Sequence, residues 1–179
     1  MTLPDQLTVA RAASVPLVVL LLSWDGLAHN EAWGTALFCV AMATDWFDGR
    51  IARRRGTSSS LGSLLDPIAD KVLVLAVLVV LIEEGVWPGW MVAAIVAREI
   101  AVSGLRLAAL ERGIVMAARD LGKLKTWAQA LAAAVGGFAA AGWWDETFAW
   151  WALLVALALT WISGLDYARI APRVLRGAA

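Results

Sequence analysis

Residues 45–71 read DWFDGRIARRRGTSSSLGSLLDPIADK. The stretch follows one apolar run, TALFCVAMAT (35–44), and precedes another, VLVLAVLVVLI (72–82). It therefore sets four carboxylates, Asp45, Asp48, Asp66 and Asp70, at the mouths of two segments fit for lipid. An ionisable group inside a bilayer is costly, so it marks a functional site. Asp45 and Asp48 lie one helical turn apart, as do Asp66 and Asp70, so each pair shares a helix face. The short RRRGTSSS link makes the two helices antiparallel neighbours whose carboxylates can converge. Four carboxylates packed together repel strongly unless a cation neutralises them. Hard oxygen ligands on facing helices suit Mg²⁺ or Mn²⁺, and four of them can hold a pair of ions. Such a pair clamps the oxygens of a phosphoryl group under attack. Helix capping, or pairing with Arg50 and Arg53, would explain one aspartate but not four in this spacing. Gly49, Ala52 and Gly62 remove side-chain bulk where a ligand could approach the backbone. Arg53, one turn after Gly49, can reach a phosphate.

The rest of the chain supports a membrane setting. Of 179 residues, 61% are hydrophobic and the formal charge is zero, which a soluble domain of this size could not bury. No nucleic-acid partner is expected. The single cysteine, Cys39, excludes an intramolecular disulfide and a cysteine metal cluster, and the single histidine, His29, lies in a short polar loop. Chemistry must come from carboxylates, lysines, arginines and hydroxyls. The first apolar run, behind Arg11, reads as a retained helix and not as a cleaved signal. Six spans, roughly 7–24, 32–54, 61–83, 89–112, 119–142 and 147–170, are each long enough to cross the hydrocarbon. Gly26, Gly85, Pro88 and Gly142 provide breaks. The expectation is an all-α, polytopic membrane protein with six transmembrane helices, forming a single domain over 1–179.

Charge sorts the loops. SWDGLAHNEAW, IEEGVWPGW and GWWDETFAWW carry acids and no Lys or Arg, whereas the opposite ends carry Arg53, Arg54, Arg55, Arg112, Arg119, Lys123, Lys125, Arg169, Arg173 and Arg176. The positive-inside rule then puts both termini and the aspartates on the cytosolic side of the cell membrane. Trp24, Trp33, Trp87, Trp90, Trp143, Trp144, Trp150 and Trp151 read as an aromatic belt at the outer boundary.

On the fourth span, AREIAVSGLR brings Glu99, Ser103 and Arg106 onto one stripe, with Arg98 about 80° from Arg106 by helical rotation. On the fifth, GKLKTWAQA brings Lys123, Lys125, Thr126 and Gln129 to the cytosolic end. Two arginines and two lysines beside a carboxylate site make a pocket for a small acceptor that is itself a phosphate ester. Snorkelling explains Lys123 as well, but suits Arg98 and Arg106 less, since they sit well within their span. A cation- or proton-coupled transporter would need polar residues along a path through the membrane. The outer halves of these helices have few.

The run D-W-F-D-G-R-I-A-R, eight residues, G-S-L-L-D-P-I-A-D resembles, without gap or substitution, the signature of the CDP-alcohol phosphotransferases: D-x-x-D-G-x-x-A-R, eight residues, G-x-x-x-D-x-x-x-D. The resemblance implies a six-helix membrane enzyme that transfers a phosphatidyl or similar group from a CDP-linked donor to an alcohol, releasing CMP. It implies two divalent ions, Mg²⁺ or Mn²⁺, on Asp45, Asp48, Asp66 and Asp70, with Asp70 also the base for the acceptor hydroxyl. Gly49, Ala52, Arg53 and Gly62 carry over as lining for the CDP moiety, and a homodimer is expected. Four further motifs, LPDQLTVAR (3–11), LDPIADK (65–71), AREIAVSGLR (97–106) and GKLKTWAQ (122–129), resemble the branch of that family whose acceptor is sn-glycerol 3-phosphate. Asp5 departs from that branch, whose members often carry a neutral Asn or Thr there. The branch implies CDP-diacylglycerol as donor, with Thr8 added to its site, and Arg98, Arg106, Lys123, Lys125 and Thr126 around the acceptor. A phosphatidylglycerol or inositol phosphate acceptor remains the alternative within the family, because the latter also needs a basic pocket; the sixth helix carries no specific motif.

The orientation has a direct test. A cysteine at Ser59 should react with thiol reagents only when they reach the cytosol, and one at Gly85 only from outside. The reverse labelling pattern would overturn the topology.

Overall fold

The computed structural model describes residues 3–24, 26–55, 60–111 and 120–175, with side chains for 10–24, 26–44, 71–111, 121–165, 167 and 169. The described residues form six helices and no strand: α1 (Leu3–Ser23), α2 (Asn30–Arg55), α3 (Ser60–Glu83), α4 (Gly89–Glu111), α5 (Asp120–Ala140) and α6 (Glu146–Leu175). The helices match the six apolar spans, and their ends follow from local chemistry. Gly85 and Gly142 adopt φ of +74° and +73°, the left-handed region that closes a helix. After each, two backbone bonds cap the helix: Gly85 N–H to Ile82 O (3.1 Å) with Val86 N–H to Leu81 O (3.2 Å), and Gly142 N–H to Ala139 O (2.9 Å) with Trp143 N–H to Phe138 O (3.0 Å). This is the Schellman pattern, and at the second site Trp143 stacks on Phe138 with ring centres 5.3 Å apart. Asp145 opens α6 by accepting the Thr147 N–H at 2.8 Å.

Helix α1 packs against both α2 and α3, α5 against α2, α3 and α6, and α4 against α3 and α6. Helix α1 thus contacts both aspartate helices, while the segments in which α2 and α3 are expected to meet, 45–55 and 60–70, have side chains outside the described residues. Small residues permit the closest approaches. A Cβ on Gly137 would collide with the Thr35 side chain of α2, and one on Gly136 with the Trp87 indole. That indole corrects the aromatic-belt reading for one residue: Trp87 is buried and its Nε1 donates to Leu78 O at 3.1 Å. Trp24, Trp33, Trp90, Trp143, Trp144 and Trp151 are exposed.

The core is apolar, built from residues such as Val18, Leu22, Phe38, Leu78, Met91 and Leu153, but much of the surface is apolar as well. Leu17, Leu20, Val40, Val79, Ile100, Leu107, Leu131, Val155, Ile162 and Leu165 face outward, while Arg98, Glu99, Lys125, Gln129, Thr160 and Ser163 are buried. Among the described residues, one segment, Glu146–Leu165, is long and apolar enough by composition to cross a membrane, and Ala10–Ser23 is a shorter apolar stretch. Helices α2 to α5 each carry charged residues, which lowers their average hydropathy.

The close approach at Gly137 is testable against an open position. Gly137→Ala forces a shift between α5 and α2 and should cost about 1–3 kcal/mol, seen as a lower thermal midpoint in detergent. Gly104→Ala, where nothing lies within 4 Å of the added carbon, should gain up to about 1 kcal/mol from helix propensity. Shifts of the same sign and size would contradict the packing.

Candidate active site

Helices α3 to α6 converge on one buried carboxylate. Glu99 and its neighbour Arg98 sit mid-way along α4, each only 4% exposed. Oε1 of Glu99 accepts hydrogen bonds from Lys125 Nζ, from Arg98 Nη1 at 3.1 Å and from Gln129 Nε2 at 3.4 Å. Its other oxygen, Oε2, lies 3.7 Å from Lys71 Nζ of α3. A lone buried carboxylate would cost several kcal/mol in desolvation, and this set of donors offsets that cost.

A second layer comes from α6. Arg98 Nη2 donates to Ser163 Oγ at 2.7 Å, and Ser163 in turn donates to Thr160 O at 2.9 Å. Gln129 Nε2 donates to Thr160 Oγ1 at 2.8 Å. Gly164 lets the Arg98 side chain lie against α6, since an added Cβ would stand 3.0 Å from Arg98 Nε. Arg106 donates to the Tyr167 hydroxyl, and its guanidinium carbon lies 4.9 Å from the centre of that ring, within cation–π range.

Of these groups, Lys71, Arg98, Glu99, Arg106, Lys125 and Tyr167 border a cavity of about 300 Å³. Its charged lining is Lys71, Arg98, Arg106, Lys123, Lys125 and Glu99, five cations against one carboxylate among the described residues, and Thr126 and Tyr167 add hydroxyls. An excess of positive charge behind low-dielectric walls is a site for a small anion. The cations are not equivalent. Arg98 and Lys125 are committed to Glu99, so they shape the floor. Arg106 is half-buried, and while its Nη2 donates to Tyr167, its buried Nε–H donates to no acceptor among the described residues. An unmet buried N–H is expensive, and an anion in the cavity would satisfy it.

All five residues expected around the acceptor, Arg98, Arg106, Lys123, Lys125 and Thr126, thus border one cavity. Of the remaining expected site residues, Asp45, Asp48, Gly49, Ala52 and Arg53 lie on α2, Gly62, Asp66 and Asp70 on α3, and Thr8 on α1; their side chains lie outside the described residues. No group of three or more His, Cys, Asp or Glu that could hold a metal occurs among the described residues, a set that does not include those aspartates. Helices α2 and α3 run through 45–55 and 60–70, and the oxygen-only donor set of the four aspartates fits a hard divalent ion. The sequence reading missed Lys71, Thr160, Ser163 and Tyr167. The α6 residues had a signal: Thr160, Ser163, Gly164 and Tyr167 recur at i, i+3, i+4 and i+7, a polar stripe along an otherwise apolar helix. The sixth helix is therefore part of the site's framework.

The model of the CDP-alcohol phosphatidyltransferase family matches residues 1–162, and the chain belongs to that family. It is 41% identical over 141 residues to the CDP-diacylglycerol–glycerol-3-phosphate 3-phosphatidyltransferase of Bacillus subtilis, covering 73% of each chain. It is 37% identical over 179 residues to a probable phosphatidylglycerophosphate synthase of Mycobacterium tuberculosis, covering 98% of this chain and 84% of the relative. The CDP-diacylglycerol–glycerol-3-phosphate 3-phosphatidyltransferase of Escherichia coli K12 is 40% identical over 141 residues, with 74% of each chain covered.

Removing Glu99 should expose what it neutralises. Glu99→Ala leaves Arg98 and Lys125 buried without their counter-charge, and breaking such a pair costs about 3–5 kcal/mol. The thermal midpoint should fall accordingly, and Lys125→Met in the same chain should recover part of it. An unchanged midpoint for Glu99→Ala would refute the network.

Proposed function

We propose that this chain transfers the phosphatidyl group of CDP-diacylglycerol to sn-glycerol 3-phosphate, giving phosphatidylglycerophosphate and CMP. The observation that carries this reading is the cavity on α3 to α6. Its cationic lining suits a phosphate ester, and Lys71, which borders it, directly follows Asp70 in sequence. The names of the relatives supply the particular donor and acceptor.

In this reading all six helices cross the cell membrane, with both termini and the site at the cytosolic face. The outward-facing leucines, valines and isoleucines support it, because such a surface is at home in lipid and not in water. Lipid tails of the donor then approach from the inner leaflet, and the water-soluble acceptor from the cytosol.

Asp45, Asp48, Asp66 and Asp70 would hold two divalent ions, Mg²⁺ or Mn²⁺, which when bound neutralise charge on the donor's phosphates. Thr8, Gly49, Ala52, Arg53 and Gly62 would line the donor site, the small residues leaving room for the nucleotide and Arg53 meeting a phosphate. Arg106 and Lys123 would take the phosphate of the acceptor, with Thr126 at the rim and Arg98 and Lys125 fixing the floor through Glu99. Asp70 removes the proton from the C1 hydroxyl. The freed oxygen attacks the phosphorus that bears diacylglycerol, and the bond to CMP breaks.

Purified protein given CDP-diacylglycerol and glycerol 3-phosphate should release CMP and phosphatidylglycerophosphate in equal amounts, and EDTA should stop it. Release of CMP with phosphatidylglycerol or inositol phosphate, and not with glycerol 3-phosphate, would refute the assignment. Asp70→Asn should retain less than about a tenth of the turnover, since general-base catalysis is worth 10²- to 10⁴-fold. Arg106→Ala should raise the KM for glycerol 3-phosphate about 10- to 150-fold, the equivalent of roughly 1.5–3 kcal/mol for a hydrogen bond to a charged group. The KM for CDP-diacylglycerol should move far less; an equal rise in both would remove Arg106 from the acceptor pocket.

A further inference from the structure

We propose that Lys71 and Glu99, with Ser103 behind Lys71, form a subsite that recognises the secondary hydroxyl of the three-carbon acceptor; this rests on the glycerol 3-phosphate reading above. The two oxygens of Glu99 are loaded unequally. Oε1 takes Lys125, Arg98 and Gln129, whereas Oε2 accepts no hydrogen bond from the described residues and has Lys71 Nζ at 3.7 Å. That separation is too long for a hydrogen bond. Lys71 is held in place from the other side, donating to Ser103 Oγ at 2.8 Å. Both Lys71 and Glu99 border the cavity.

A hydroxyl is the group that this corner fits. It can donate to Oε2 and accept from the ammonium at once, closing the gap between them. A phosphate is excluded from the same place, because its oxygens would face a carboxylate that is already ionised and paired. The cavity is thus divided by charge. The Arg106 and Lys123 side takes the anion, and the Lys71 and Glu99 corner takes a neutral polar group. Lys71 also stands on the same turn of α3 as Asp70, the proposed base for the C1 hydroxyl, and the secondary hydroxyl of the acceptor is on the adjacent carbon. Recognition of both would select a vicinal diol. A site built to hydrogen-bond a substrate hydroxyl strongly rejects the analogue that lacks it.

The test compares kcat/KM for sn-glycerol 3-phosphate and for 3-hydroxypropyl phosphate, which lacks the secondary hydroxyl, in the full-length protein and in Lys71→Met and Ser103→Ala. The unaltered protein should prefer glycerol 3-phosphate by about 10- to 150-fold, the range for a hydrogen bond to a charged group. Lys71→Met should lose most of that preference by slowing glycerol 3-phosphate at least about tenfold more than it slows the deoxy compound. Ser103→Ala, which frees the lysine from its anchor, should give an intermediate preference. A wild-type preference near one, or a Lys71→Met variant that loses both substrates equally, overturns the subsite while leaving the function intact. Failure of the unaltered protein to use glycerol 3-phosphate at all overturns the function and the subsite together.

Discussion

A carboxylate buried among cations constrains four of the six helices of this bundle. Glu99 is contacted from α3 by Lys71, from its own helix by Arg98, and from α5 by Lys125 and Gln129, while Arg98 extends the network to α6 through Ser163. Such a cluster is not required for stability, since apolar packing of the same volume often serves as well or better. What it does is penalise every arrangement in which one member is displaced, because the others are then left charged and dry. Four helices are held in register by that penalty. The cavity beside them inherits its shape and its sign, with two of its cations spent on the floor and Arg106 left half-exposed above it.

The same network sets a polar cluster within an otherwise apolar core, in a bundle whose exterior is also apolar. Chains that fold in water place leucine inside and lysine outside. Here Leu107, Leu131 and Val155 face out while Lys125, Glu99 and Gln129 face in. In the proposed membrane setting the lipid-facing surface gains nothing from polarity, and polar groups pair with one another across helices. An amphiphilic donor and a water-soluble acceptor then meet at one end of the bundle. The donor would be held by α1, α2 and α3, and the acceptor by α3 to α6. Helix α3 is common to both, with Asp70 and Lys71 on one turn.

Much of this was legible in the residues, for physical reasons that differ from case to case. Gly85 and Gly142 marked helix ends because a left-handed residue is needed there and glycine adopts it without strain. Arg98, Arg106, Lys123, Lys125 and Thr126 stood out because charges and hydroxyls are rare in apolar helices, and they do share a cavity. The framework of that cavity was harder to see. Thr160, Ser163 and Tyr167 are uncharged and sit in a largely apolar helix, so the spacing that joins them was masked by its surroundings. Spacing also identifies a shared face without identifying the helix it faces, and the packing of α1 against both α2 and α3 had no signal in the spacing. Trp87 shows the same limit: a tryptophan near a helix end reads as an anchor, yet this one turns inward because Gly136 leaves a slot for its ring.

The proposed function requires that the acceptor's phosphate bind in the cavity of α3 to α6, beside a divalent ion that the aspartates of α2 and α3 would hold. Paramagnetic relaxation of the phosphorus-31 signal tests it directly, using glycerol 3-phosphate bound to protein loaded with Mn²⁺. The account predicts strong broadening of the acceptor phosphorus. Asp66→Asn should abolish it by weakening the ion, and Arg106→Ala by releasing the acceptor. Broadening that survives either substitution, or a bound acceptor whose phosphorus signal the ion leaves sharp, would contradict the account.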